Sequence, residues 1–351
     1  MKKTSMIVCL LLSAAALSGA MKVTEKDVEN KNGKFKVTTY DLPMVSGKLI
    51  YSVTKKPDGT TSNTSFGATF GEHGRNGGWD RWLFFRFYEK NKYQNLLSRI
   101  PAKVTYAPYA GGIIAEFEWA LPDSGKLKLR FLHKKDMPDW VFAKLEFLNL
   151  DMTKYDFVFN AMPGTPWLKK GGERHLASRS KDYLLRGIVP DILPEGNAFA
   201  FYNRADLEEF GNLLVYESDK IQKAGFHAAK GVYLMGKPET KEILFAFGSF
   251  LNEPASKAVP RFLSEQAASV FNTLKSLDWN PKLDHTEFDA LARSLEKITA
   301  ADSAKKAEFS KIMEEYKTAR QKEDAVRCAE LLEQLRKLNS QIGAKKLSEF
   351  Q

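Results

Sequence analysis

Two stretches of this sequence gather the residue types that could do chemistry. The first, Gly71-Glu72-His73-Gly74-Arg75-Asn76-Gly77-Gly78-Trp79-Asp80-Arg81-Trp82, is a glycine-rich loop with two tryptophans, two arginines and a histidine just ahead of a strand. Aromatic faces stack on sugar rings through C–H contacts, and arginine grips carboxylates or sulfates with planar, bidentate hydrogen bonds. Arg75, Trp79 and Arg81 are therefore candidate ligand contacts, and His73 is a candidate acid or base. The second stretch, Met162 to Arg186, reads as a long linker between strands and holds Trp167, Lys169, Lys170, Arg174, His175, Arg179 and Arg186. Loops of that length in a compact domain are usually functional or disordered. Trp167, Arg174 and Arg179 join the ligand candidates, and Arg174 and His175 the catalytic ones. The plainer readings are tryptophans that cap a core, a solvated basic loop and a lone surface histidine.

Other chemistries find no support in the residue pattern. The glycine-rich loop lacks the G-K-[ST] ending of a phosphate loop. Five histidines occur with no H-x-H, H-E-x-x-H or EF-hand spacing, so no metal and no cofactor is expected. There is no G-x-S-x-G elbow for a nucleophile. The carboxylate pairs Glu116/Glu118 and Glu208/Glu209 do not identify a glycosidase dyad, and the first has a cross-strand explanation.

The elements that must position these residues are mostly strands. Ile113, Ala115, Phe117 and Trp119 alternate with Ile114, Glu116 and Glu118, the period of two of a half-buried strand. After the turn Leu121-Pro122-Asp123-Ser124-Gly125, Leu127, Leu129 and Phe131 alternate again. A turn centred on Asp123 sets Glu118 opposite Lys128, Glu116 opposite Arg130, Phe117 opposite Leu129 and Trp119 opposite Leu127. Val141 to Phe147 supplies a third strand and Tyr155 to Ala161 a fourth in the same antiparallel run. Further runs lie at Gly47–Val53, Ser65–Phe70, Arg81–Tyr88, Asn197–Asn203, Asn212–Glu217, Phe226–Met235 and Glu242–Phe250, about a dozen strands in all. Met21 to Gly33 is charged and reads as loose. No long apolar period of 3.6 precedes Pro260, which argues against βαβ units. The expected fold is mainly β, a large antiparallel sandwich of supersandwich type, with a C-terminal helical hairpin or small bundle.

That appendage begins at Asp284-His285-Thr286-Glu287, an N-cap residue with Glu at the third helical position. Phe288, Leu291, Leu295 and Ile298 follow, then a helix with Phe309, Ile312, Met313 and Tyr316, then one with Cys328, Leu331, Leu335, Leu338 and Ile342. The domains expected are a β-sandwich over residues 21–280 and a helical region over 281–351.

The run Asp139-Trp140-Val141-Phe142-Ala143-Lys144-Leu145-Glu146-Phe147-Leu148-Asn149, set among about a dozen strands, resembles the central sheet of galactose-mutarotase-like supersandwich domains. The resemblance spans residues 40 to 255 by pattern. Such domains occur in aldose epimerases, several polysaccharide lyases and glycosidases. The epimerases use a histidine acid and a glutamate base in contexts that this sequence does not reproduce, so their activity is not implied.

Compartment and partner follow from the ends of the chain and its charge. Lys2 and Lys3, an apolar run from Met6 to Leu17 and Ser18-Gly19-Ala20 have the form of a secretory signal peptide over residues 1–20, implying export to a bacterial periplasm or the medium. The run is shorter than a membrane span needs, so no span is expected. Loss of Cys9 leaves Cys328 as the one thiol, which excludes an internal disulfide and points to burial. Removal of Lys2 and Lys3 lowers the formal charge from +10 to +8. Residues 284–351 hold thirteen basic and thirteen acidic residues, so the excess lies on the β region. A cationic exported sandwich fits an anionic glycan better than nucleic acid, whose basic-aromatic tracts are missing. Three readings follow. The chain binds carbohydrate, with preference for acidic glycans; it is a carbohydrate-active enzyme, a polysaccharide lyase or sugar epimerase; or it is an envelope scaffold acting through its helical tail. Its oligomeric state is not written in the sequence.

Overall fold

The computed structural model describes residues 21–31, 33–70, 83–90, 95–109, 111–122, 124–161, 173–184, 188–192, 196–203, 210–227, 231–251, 253–280, 282–299, 303–322 and 324–348. The chain is mainly β, and its described strands form three antiparallel sheets. A four-stranded sheet takes β1 (Lys22–Asn30), β2 (Gly33–Pro43), β3 (Gly47–Lys55) and β4 (Thr61–Phe70) in sequence order. A five-stranded sheet has the order β13 (Ile188–Ile192), β16 (Ile221–His227), β17 (Gly231–Gly236), β10 (Tyr155–Ala161) and β5 (Leu83–Glu89). The nine-stranded sheet runs β12 (Asp182–Leu184), β11 (Arg174–Ala177), β14 (Ala198–Asn203), β15 (Phe210–Tyr216), β18 (Glu242–Leu251), β9 (Trp140–Leu148), β8 (Lys126–Lys134), β7 (Gly112–Ala120) and β6 (Lys103–Tyr109).

Alternation along β7, β8 and β9 builds the core. Phe117, Leu129, Phe131, Leu145 and Phe147 are buried on one face, which receives rings from both smaller sheets. Tyr51 of β3 meets Phe117 edge-on at 5.4 Å, and Phe157 of β10 meets Phe147 at 5.4 Å. The hairpin register also holds: Leu121 N–H donates to the Gly125 carbonyl at 2.9 Å, and Arg130 Nε bonds Glu116 Oε2 at 2.6 Å. The expected fourth strand of the run, Tyr155 to Ala161, leaves this sheet and pairs with β5 and β17 instead.

On the opposite face the ionic residues of successive strands join end to end. Lys126, Glu118, Lys128, Glu116, Arg130, Glu146, Lys144, Glu242, Lys220, Glu217 and Lys275 alternate in sign, each within 2.5 to 3.7 Å of the next. The ends of this ionic chain, at Lys126 and Lys275, are half-exposed, the links between are partly buried, and Glu217 is fully buried.

Three expectations are corrected. Met21 to Gly33 is not loose, because β1 pairs along its whole length with β2, setting Val23 against Tyr40 and Val28 against Phe35. Its alternation is silent in the sequence because both faces of this edge strand are largely exposed. Phe226 to Met235 is not one strand but the end of β16 and most of β17, which pair antiparallel with Phe226 against Val232. Helix also begins before the expected boundary: α1 (Ala255–Arg261), a π-helical stretch (Phe262–Gln266) and α2 (Ala267–Ser276) run on one another. Pro260 lies inside α1, and the Ser264 hydroxyl donates to its carbonyl at 2.8 Å.

This helical run seats on the sheet through Trp140, whose ring lies 5.9 Å from Phe262. Gly248 stands directly opposite Trp140 on β18, and a Cβ there would meet three ring atoms at 2.8 Å. Gly248→Ala is expected to lower stability by about 1–3 kcal/mol, the usual range for an overpacked site. Urea unfolding measures it, and an unchanged midpoint would show that the indole moves aside freely.

By internal packing the chain divides into two units: the residues up to Val104 with Ala115–Trp279, and Thr105–Ile114 with Asn280–Gln351. The second is helical, with α3 (Thr286–Thr299), α4 (Ser303–Gln321) and α5 (Ala325–Ser348). Its core joins Phe288 and Leu295 to Phe309, Ile312 and Tyr316 and to Leu331, Leu335 and Leu338. Cys328 is buried there, and burial pushes its thiol pKa up. At the start of α3, Asp284 Oδ1 accepts from Thr286 N–H at 2.9 Å as a capping residue should. The Asp284 N–H goes to the Pro108 carbonyl, and Glu287 takes both arms of Arg336 at 2.8 and 2.7 Å.

Candidate functional site

His73, Arg75, Trp79, Arg81 and Trp167 lie outside the described residues, so the geometry below concerns Arg174, His175, Arg179 and their neighbours. These do not lie on a linker. They lie on a hairpin at the edge of the nine-stranded sheet, with β11 paired to β12 and, on its other side, to β14. Ser178 N–H donates to the Lys181 carbonyl at 2.8 Å, which makes Arg179 and Ser180 the loop, and Arg179 is exposed there.

Adjacent residues of a strand project to opposite faces, and this separates the two leading candidates. Leu176 pairs with Phe201, Phe201 with Asn212 and Asn212 with Ser249, so these residues share the core-facing side of the sheet. Arg174 has the parity of Leu176 and stands on that side. His175 pairs with Tyr202 and stands on the other. The enzyme reading requires Arg174 and His175 or His73 to converge on one cleft; β11 directs Arg174 and His175 apart, and His73 lies outside the described residues.

The expectation of a surface histidine is also corrected, for His175 is 5% exposed. Its Nδ1 lies 3.0 Å from Asp182 Oδ1, and its ring stacks on Tyr202 at 5.0 Å with an interplanar angle of 20°. The Tyr202 hydroxyl donates to Asp182 Oδ2 at 2.5 Å. A carboxylate accepts only, so Nδ1–H is the donor of this bond. The other ring nitrogen, Nε2, is buried without a hydrogen-bond partner among the described residues, and the nearest carboxylate, Glu173, is 3.7 Å away. An oriented imidazole of this kind can act as a base only where a substrate reaches Nε2. Here the atom is shut in, which makes the array a clamp joining three strands.

The face that carries Arg174 has a different character. Tyr183 pairs with Leu176 and so shares that face, and Lys181 follows by alternation. The Lys181 ammonium lies 4.7 Å from the centroid of the Tyr183 ring. A half-buried aromatic ring, two cations on its own side and the exposed Arg179 in the adjoining loop are collected within one hairpin. Neither a scan against protein-family models nor a search of curated proteins finds a match to this chain. Its function must be argued from this geometry.

Sequence reasoning misses Lys181 and Tyr183 as site residues, because the stretch around them reads as a linker. The signal that could have found them is the alternation Lys181-Asp182-Tyr183-Leu184 after Ser-Arg-Ser. Among the described residues no group of three or more His, Cys, Asp or Glu side chains could hold a metal ion. None of the described helices is long and apolar enough to cross a membrane.

Proposed function

We propose that the protein is an exported carbohydrate-binding β-sandwich of the galactose-mutarotase-like kind that prefers acidic glycans, with the Arg174, Lys181 and Tyr183 face of the edge hairpin as part of its site. The observation that carries the reading is the Lys181 ammonium above the Tyr183 ring on the same side as Arg174. An aromatic face offers C–H stacking to a pyranose, and the cations answer its carboxylate or sulfate. The formal charge of the β region, +8 after loss of the leader, favours the same partner.

Calorimetric titration of the mature protein with oligogalacturonate and with dextran sulfate tests the proposal. Tyr183→Ala is expected to weaken binding about tenfold at every salt concentration. Lys181→Ala should weaken it chiefly at low salt, because exposed charges are screened over about 8 Å at physiological ionic strength. Binding to neither polymer, or binding indifferent to both substitutions, overturns the reading.

A further inference from the structure

We infer that His175, Asp182 and Tyr202 are positioning residues that hold the edge hairpin in the shape its other face needs, an inference that rests on the binding reading above. β12 is three residues long and lies at the edge of the sheet, the kind of element that frays first. Among the described strands its backbone pairs only with β11, and its one carboxylate reaches past that partner. Asp182 sits diagonally from His175 and bonds Tyr202 on the next strand, so a single side chain spans β12, β11 and β14.

The placement of the three groups makes the coupling direct. Asp182 stands between Lys181 and Tyr183, and His175 follows Arg174. Fixing the side chains of the rear face therefore fixes the backbone from which each front-face group projects. His175 is held from two sides, by Asp182 at Nδ1 and by the Tyr202 ring against its plane. A buried imidazole whose Nε2 has no hydrogen-bond partner among the described residues is a poor choice for packing alone, which fits a part whose value lies in orientation.

Two readouts on the full mature chain test this: amide hydrogen exchange of Asp182 to Leu184, and titration with oligogalacturonate. Asp182→Ala is expected to speed exchange of these amides at least tenfold and weaken binding at least tenfold, with a small change in melting temperature. Asp182→Asn, which keeps an acceptor for the Tyr202 hydroxyl, should recover part of both. Tyr202→Phe, which removes one hydroxyl only, gives the same direction at smaller size should the alanine variant fail to fold. Unchanged exchange overturns the inference. So does faster exchange with unchanged affinity, in a protein whose Lys181→Ala variant has lost binding. A wild-type protein that binds no glycan sinks the binding reading, and exchange alone then decides whether the array holds the hairpin.

Discussion

Lowering the pH from 7 to 4 is expected to cost the folded protein about 3 kcal/mol through His133 alone. The ring is fully buried on β8, and burial depresses its pKa to about 4 against an ordinary value of 6.5. Its hydrogen bond to the Pro138 carbonyl at 2.8 Å opposes that change without cancelling it. The carbonyl can only accept, so Nε2 donates and Nδ1 is bare, with no partner among the described residues to take a second proton. Between pH 6.5 and about 4 the unfolded chain is protonated at this site and the folded chain is not. Stability is therefore unaffected above pH 6.5, falls as the pH drops through this window, and stops falling from this source below about 4. A tenfold difference in proton affinity between the folded and unfolded chains corresponds to about 1.4 kcal/mol. Carboxylates such as Glu118 and Glu242, whose pKa values are lowered, add their own losses at the acid end. Comparison with His133→Gln isolates the histidine, since the variant keeps a donor for Pro138 and cannot titrate. Denaturation at pH 7, 5.5 and 4.5 should show the two proteins converging as the pH falls, and parallel curves would refute the assignment.

Glu217→Ala is expected to destabilise the β unit by about 3 kcal/mol, the second large effect. Glu217 is fully buried; its Oε2 accepts from Leu244 N–H at 2.9 Å and lies 2.8 Å from Lys220, while Oε1 lies 2.5 Å from Lys275 on α2. Truncation strands a buried backbone donor and unties the end of α2 from the sheet, each costing about 1–3 kcal/mol. The cations contribute less, because Lys275 is half-exposed and its pairing is screened. Glu217→Gln should therefore lose about half as much as the alanine variant, and Lys275→Met less than about 1 kcal/mol. Urea unfolding of the three proteins gives the order. If Lys275→Met proved as costly as Glu217→Ala, the stabilisation would lie in the charge pair and not in the backbone bond.

The central strands were legible because they are long, buried on one face and charged on the other. Glu116 and Arg130 found each other in the structure because a one-residue slip would have turned Phe117 and Leu129 to solvent. The parts that were not legible share a different property. β11 and β12 have four and three residues, too few for alternation to rise above the basic composition around them. β1 has nine residues but no buried face to impose a pattern. The site suffers most from this, since residues two apart on a short strand share a face while neighbours do not. Arg174 and His175 look like a pair in the sequence and are divided by the backbone. Lys181 and Tyr183 look separate and are brought together.

The outer edge of β1 has a consequence for how copies of this chain meet. Two identical antiparallel strands related by a two-fold axis must set residues of equal parity opposite one another, since both their facing and their hydrogen-bonding direction are shared. In β1 the three central registers place Glu25 against Glu25, Lys26 against Lys26 with Glu25 against Asp27, or Asp27 against Asp27 with Glu25 against Glu29. Every one sets like charges in contact, where they repel. The charge order of β1 therefore disfavours these central registers between two copies, a form of protection for an exposed sheet edge.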